Sequence, residues 1–156
     1  MVDVPVIAEE NTSLDHRERI RIDAGLLVLR IGIATLMFAL HGWARLIRAF
    51  NYSFFGEPWP FVDLVAGLGF PAAGLFAVAS ALSESIGALL VGVGLFTPAA
   101  AGLLVIDMVV AFYNEISGGD PIELPALYLV GSIALMTAGG GRYSLDALRK
   151  RRARSL

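Results

Sequence analysis

An all-α integral membrane four-helix bundle, with both termini cytoplasmic and an aromatic interfacial loop between helices 1 and 2, is the fold class this 156-residue chain predicts. Composition is the first reason. Hydrophobic residues make up 56% and charged residues 17%, against roughly one quarter charged in soluble domains. Mean hydropathy is +0.70. Four apolar stretches, at 24–40, 71–96, 98–113 and 122–138, are the second reason. Each approaches the length of about 20 residues that spans a bilayer. The third is the placing of Lys and Arg. Arg17, Arg19, Arg21, Arg142, Arg149, Lys150, Arg151, Arg152 and Arg154 lie on the side of the termini, and only Arg45 and Arg48 lie opposite. That excess marks the cytoplasmic side.

The elements follow in order. Residues 1–22 read as a polar cytoplasmic tail, rich in acids and without the apolar core of a secretory signal. Its second half, LDHRERIRID, alternates charge and suits a short surface helix. The four-helix membrane domain covers 23–148, and its first span serves as an uncleaved signal anchor. Residues 41–70 hold Trp43, Phe50, Tyr52, Phe54, Phe55, Trp59, Phe61 and Phe70. Aromatics of that density belong at a membrane interface, and Pro58 and Pro60 preclude a continuous helix. The segment reads as an interfacial loop lying over one mouth of the bundle. Pro71 suits the first turn of the second span. Thr97-Pro98 turns into the third span, and NEISGGDP at 114–121 is the loop before the fourth. The glycines 139–141 stop that span. Ser144 is an N-cap candidate for a short helix over 145–152, with Asp146 in its first turn. A basic tail, 149–156, closes the chain. Arg149, Lys150, Arg151, Arg152 and Arg154 suit anionic lipid headgroups as well as topology.

The chain has no Cys and two His. Disulfides, thiolate catalysis, Cys-ligated zinc and iron–sulfur clusters are excluded. His16 stands in the polar tail, a poor partner for His41 in a bis-His haem. One His with scattered loop carboxylates is a weak metal signal, so no metal site is expected, nor any nucleic-acid partner.

Ionisable groups inside the spans are costly and usually face a bundle interior. Arg30, Ala34, Met37 and His41 share one helix face, as do Asp107, Ala111 and Asn114. Ser80, Ser83, Glu84 and Gly87 form a polar stripe on the second span. Ala73, Ala77, Ala81, Ala88 and Gly92 recur at intervals that permit close helix approach. Counting residues at about 1.5 Å each puts Glu84 and Asp107 near the midplane. Two layers result. The inner one is Arg30, Glu84 and Asp107; the outer one is His41, Arg45 and Glu123, with Asn114 and Glu115 beside them. These six are the ligand- or proton-site candidates, and no catalytic residue is assigned. Two midplane carboxylates repel, so one holds its proton. A structural clasp of Arg30 with Glu84, or snorkelling of Arg30, competes evenly with a chemical role.

Three segments resemble the DoxX family of small bacterial and archaeal membrane proteins. LLVLRIGIATLMFALHGWARL looks like its Arg-bearing first helix, with Arg45 where Lys is usual. LGFPAAGLFAVASALSESIGALLVGVGLFTPAAA is similar to its Gly-Phe-Pro start, mid-helix Glu and Gly-rich exit. GGGRYSLDALR resembles its closing signature, with Gly140 in place of Pro. Asp107 and the long aromatic segment depart from the pattern. The resemblance implies a redox association, as in the DoxD-type subunit of thiosulfate:quinone oxidoreductase. It implies a non-covalently held quinone, or support of electron and proton transfer to the quinone pool. The chain would be at most an accessory subunit, with a protein partner, in the cytoplasmic (inner) membrane. A purely structural or assembly subunit, and a small proton or solute transporter, are the competing readings.

Overall fold

Between Pro5 and Pro58 the chain has no proline, and it runs helical almost throughout that interval. The computed structural model describes the backbone of residues 4–155 and the side chains of residues 16–155. Helix α1 (Val4–Met37) passes through a π-turn (Phe38–Gly42) into α2 (Trp43–Phe55). Then come α3 (Pro60–Gly67), α4 (Ala73–Leu82), a second π-turn (Ser83–Gly87), α5 (Ala88–Val93), α6 (Thr97–Gly118), α7 (Glu123–Ala138) and α8 (Leu145–Arg154). No strand occurs among the described residues. Three helical stretches are long and apolar enough to cross a membrane: His16–Phe55, Ala73–Val93 and Thr97–Gly118. Helix α7 is apolar but has only 16 residues.

Two expected loops are mostly helix. The segment 41–70 forms α2 and α3, separated by four residues around Pro58. Nothing before Gly56 breaks the helix, and Gly56 ends α2 in the left-handed conformation at φ 67°. Pro60 starts α3, where its missing N–H costs nothing, with Asp63 in the first turn. The aromatics accordingly divide. Trp43, Phe50, Phe54 and Phe55 are exposed on α2. Trp59 is buried with Ala49, Val65, Ala77 and Ala81, and Tyr52, Phe61 and Phe70 pack against them. Likewise α6 runs on to Gly118, because 114–117 contains no Gly or Pro, and the loop shrinks to 119–122. The 1–22 segment is helical from Val4 and continuous with the first span; its side chains up to residue 15, and Leu156, lie outside the described residues. Pro71 precedes α4 in a turn, and the helix starts at Ala73.

The main core joins Ile33 and Met37 of α1, Ala88 and Val91 of α5, Ala100, Ala101, Leu104 and Met108 of α6, and Tyr128 and Leu135 of α7. Small residues set the spacing. Ala77, Ala81, Ala88 and Ala101 are fully buried. A Cβ at Gly92 would lie 2.8 Å from the Ala34 Cβ, so α1 and α5 meet at a backbone-to-methyl distance.

One end of the bundle is tied by the segment after α7. The Arg142 N–H donates to Asp23 Oδ1 at 2.9 Å, and the Asp146 N–H to the Gly94 carbonyl at 2.9 Å. Ser144 caps α8 as expected, its Oγ accepting from the Ala147 N–H at 3.1 Å. Asp146 does more than favour its own helix. Its Oδ1 accepts from the Phe96 N–H at 2.8 Å, and its Oδ2 from the Thr97 N–H at 2.8 Å and the Thr97 hydroxyl at 3.0 Å. It therefore satisfies the orphan donors at the start of α6 from another helix.

Partial burial pushes the Asp146 carboxyl up, but those hydrogen bonds and the Arg149 charge outweigh it and hold the group below its ordinary range. Its stabilisation is complete above the unfolded value of 3.8 and is lost as pH falls through the lowered folded value. Asp146→Asn should cost about 2 kcal/mol at neutral pH. It should also flatten the acid limb of a stability-against-pH curve measured by thermal unfolding in detergent. An unchanged acid limb would contradict this assignment.

Candidate functional site

The two π-turns pack against each other, and they carry His41 and Glu84. In the first, the Trp43 N–H reaches back five residues to the Phe38 carbonyl; in the second, the Ala88 N–H reaches the Ser83 carbonyl. Such turns insert one residue into a helix and recur at functional sites. Gly42 makes the packing possible. A Cβ there would stand 2.5 Å from the Glu84 carbonyl oxygen and 3.0 Å from the Ser85 Cα.

The inserted residue also redirects the first span. Arg30, Ile33, Ala34 and Met37 are buried at helical spacing, and the next buried positions are Gly42 and Ala49. The inward face thus steps five residues after Met37, and Arg45 comes onto the side of the second π-turn. Its Nη1 donates to Glu84 Oε1 in an ion pair. Its guanidinium also lies 4.5 Å from the centroid of the Phe61 ring. Glu84 is buried, with 3% of its surface exposed. Asp107 adjoins it and takes a hydrogen bond from the Ser80 side chain. Glu84 Oε2 and Asp107 Oδ2 are buried without a hydrogen-bond donor.

These groups line one cavity of about 360 Å³ between α3, α4 and α6. Its polar wall is Arg45, Ser80, Ser83, Glu84, Asp107, Asn114 and Glu115. The rest is apolar and includes Phe61, Phe70 and Phe76. Ser83 Oγ and Glu115 Oε2 are also buried without partners. A pocket of this size, largely apolar with a few converging polar groups, suits a small organic ligand.

Of the six candidates, the structure brings together Arg45, Glu84 and Asp107. The inner layer of Arg30, Glu84 and Asp107 does not form. Arg30 has 2% of its surface exposed and donates from Nη2 to the Tyr143 carbonyl at 2.7 Å. It sits against Gly94 and Ser144, at the end held by Asp146. A Cβ on Gly94 would overlap Arg30 Nη1, and Gly94 has φ 73°. Arg30 is therefore a clasp, but its partner is a backbone carbonyl of the closing segment and not Glu84. His41 is rotated to the flank by its own π-turn, edge-on to Tyr128 at 6.4 Å between centroids. Glu123 is exposed in the first turn of α7, favourable for the helix dipole and away from the cavity. No group of three or more metal-ligating His, Cys, Asp or Glu occurs among the described residues. Phe61 and Phe70 of the aromatic wall lie in the 41–70 segment, whose prolines and aromatics suggest a loop. Pro60 followed by Asp63 is the signal for α3, which carries Phe61.

A multi-pass helical membrane protein is the class that this architecture defines. A family profile described as DoxX matches residues 25–114, more than half of the chain, and the chain belongs to the DoxX family. The match contains Arg45, Glu84 and Asp107, whereas the closing segment at 139–149 lies beyond it. No curated protein and no solved structure matches the chain.

Proposed function

We propose that this chain is a redox-associated membrane subunit that binds a quinone-type ring in the cavity beside Glu84. One observation carries the reading. An apolar, aromatic-walled cavity ends on an ion pair and a second carboxyl whose buried oxygens lack partners. Such a wall fits a lipid-soluble ring with polar atoms at its edge. Phe61, Phe70 and Phe76 would flank the ring, and Arg45 and Asn114 would hold its oxygens beside the carboxyls of Glu84 and Asp107. A bound quinone supplies the two-electron chemistry that a chain without Cys lacks. The side chains of this protein orient the ring and exclude water from it.

The wider frame of the proposal is a four-span bundle in a bacterial or archaeal inner membrane. Helix α7 would be the fourth span, at about 24 Å long. The bonds from Asp23 to Arg142 and from Arg30 to Tyr143 support placing both termini on one side, and the Lys and Arg excess supports calling that side cytoplasmic. Arg149, Lys150, Arg151, Arg152 and Arg154 would meet anionic headgroups there. A catalytic partner protein would provide or take up the electrons.

The test is titration of short-chain ubiquinone and menaquinone analogues onto the purified protein. Phe61→Ala and Asn114→Ala should each weaken binding about tenfold, equivalent to about 1.4 kcal/mol. His41→Ala should leave it unchanged, since His41 does not line the cavity. Absent binding, or a loss confined to His41→Ala, would refute the site.

A further inference from the structure

The cavity wall has an uneven hydrogen-bond inventory. Three of its carboxylate oxygens, Glu84 Oε2, Asp107 Oδ2 and Glu115 Oε2, are buried without a donor. The charged donor on the wall, Arg45, already gives one N–H to Glu84 and lies over Phe61. Asn114 is the one amide. Ser83 Oγ is also without a partner and can act either way. A proton bridging Glu84 and Asp107 would be spent between them. It would free no donor for a ligand and would leave Glu115 Oε2 as it was.

A buried acceptor without a donor costs the full desolvation of that group, so the ligand that gains most is one that donates. A quinone offers carbonyl oxygens, which only accept. It could be met by Arg45 and Asn114, but it has no hydrogen to give to Glu84, Asp107 or Glu115. A hydroquinone offers phenolic hydroxyls, each donor and acceptor at once. The same oxygen can give its hydrogen to a carboxylate and take one from Arg45 or Asn114. The ring occupies the same aromatic space in both forms, so the difference lies at the polar edge.

Resting on the quinone-site reading above, we infer that the cavity selects the reduced, hydroxyl-bearing form of the ring over the oxidised one. Glu84 and Asp107 are the acceptors that make the choice, and Glu115 adds a further one. The subunit thereby holds hydroquinone in preference to quinone.

The experiment compares decylubiquinol, decylubiquinone and the di-O-methyl ether of decylubiquinol on the full chain in nanodiscs. Excess dithionite keeps the first reduced, and a protein without Cys tolerates it. Quenching of Trp59, which is 5.3 Å from the Phe61 ring between centroids, reports occupancy once Trp43→Phe removes the second tryptophan. Decylubiquinol should bind at least about tenfold more tightly than decylubiquinone, with the ether no better than the quinone. Glu84→Gln should shrink that preference. Glu115→Gln, a half-buried position in the last turns of α6, should do so in a variant that keeps the ion pair intact. Equal or tighter binding of decylubiquinone, or full-strength binding of the ether, overturns the inference and leaves the quinone-site reading standing. Failure of all three to bind overturns both.

Discussion

Arg45→Ala is expected to lower the stability of the detergent-purified protein by about 3 kcal/mol, the lower end of the cost of breaking a buried ion pair. Glu84 is the reason. Its side chain is 4% exposed, and Arg45 donates to its Oε1 while Oε2 has no donor. Removing Arg45 strands a carboxylate already half satisfied. Arg45 itself is one-third exposed, so the penalty falls on the partner left behind. Two companion variants separate this from lost packing on Phe61. Arg45→Lys keeps the charge and should cost less than half as much. Arg45→Ala combined with Glu84→Gln should recover much of the loss, because the stranded charge is gone. A double-mutant cycle by thermal unfolding measures the coupling, expected between about 1 and 3 kcal/mol. Additive losses would show that the pair is a surface contact with little energetic content.

Gly42→Ala should disrupt the site without touching any of its polar side chains. The added methyl would meet the Glu84 carbonyl oxygen at 2.5 Å, the Ser85 Cα at 3.0 Å and the Glu84 carbonyl carbon at 3.1 Å. All three are backbone atoms of the second π-turn, so no rotamer change relieves the clash. The two turns must part, and Glu84 moves with its backbone away from Arg45 and Asp107. A loss of about 1–3 kcal/mol is expected from overpacking alone, with ligand binding at the cavity reduced more than stability. Gly32→Ala is the matched control. Nothing lies within 4 Å of a Cβ there, and the better helix former should be neutral or stabilising by up to about 1 kcal/mol. Thermal unfolding and ligand titration on both variants decide the matter. A Gly42→Ala protein as stable and as competent as the parent would mean that the π-turns do not pack as described.

The contrast between Arg30 and Arg45 shows where sequence reasoning reached its limit. Both are on the first helical rod. Helical periodicity put Arg30, Ala34, Met37 and His41 on one face, and the first three are indeed buried together. The π-turn then adds one residue, and the face continues through Gly42, with Arg45 turned toward Glu84. A single inserted residue thus turns His41 away from the site and leaves Arg45, its companion in the expected outer layer, beside Glu84. Nothing in local composition announces it, because a π-turn is held by how the neighbouring helix packs. Glu84 and Asp107 were easier. Each is a lone acid in a long apolar run, and counting from the helix ends put both near one depth. Arg30 was recognisable as a costly buried charge, but its partner is the Tyr143 carbonyl, 113 residues away.

The sequence by itself determined the membrane class, the helical state, the start and stop of α7, the Ser144 cap and the pairing of Glu84 with Asp107. Those follow from composition, breakers and periodicity, which act within a few turns of chain. Tertiary structure alone decided which cation meets Glu84, which residues wall the cavity, and that Asp146 caps α6 instead of only its own helix. Those depend on side chains from helices far apart in sequence arriving at one place. Their arrival is set by glycine-permitted backbone contact and by the phase shift of two π-turns, neither of which has a local signature.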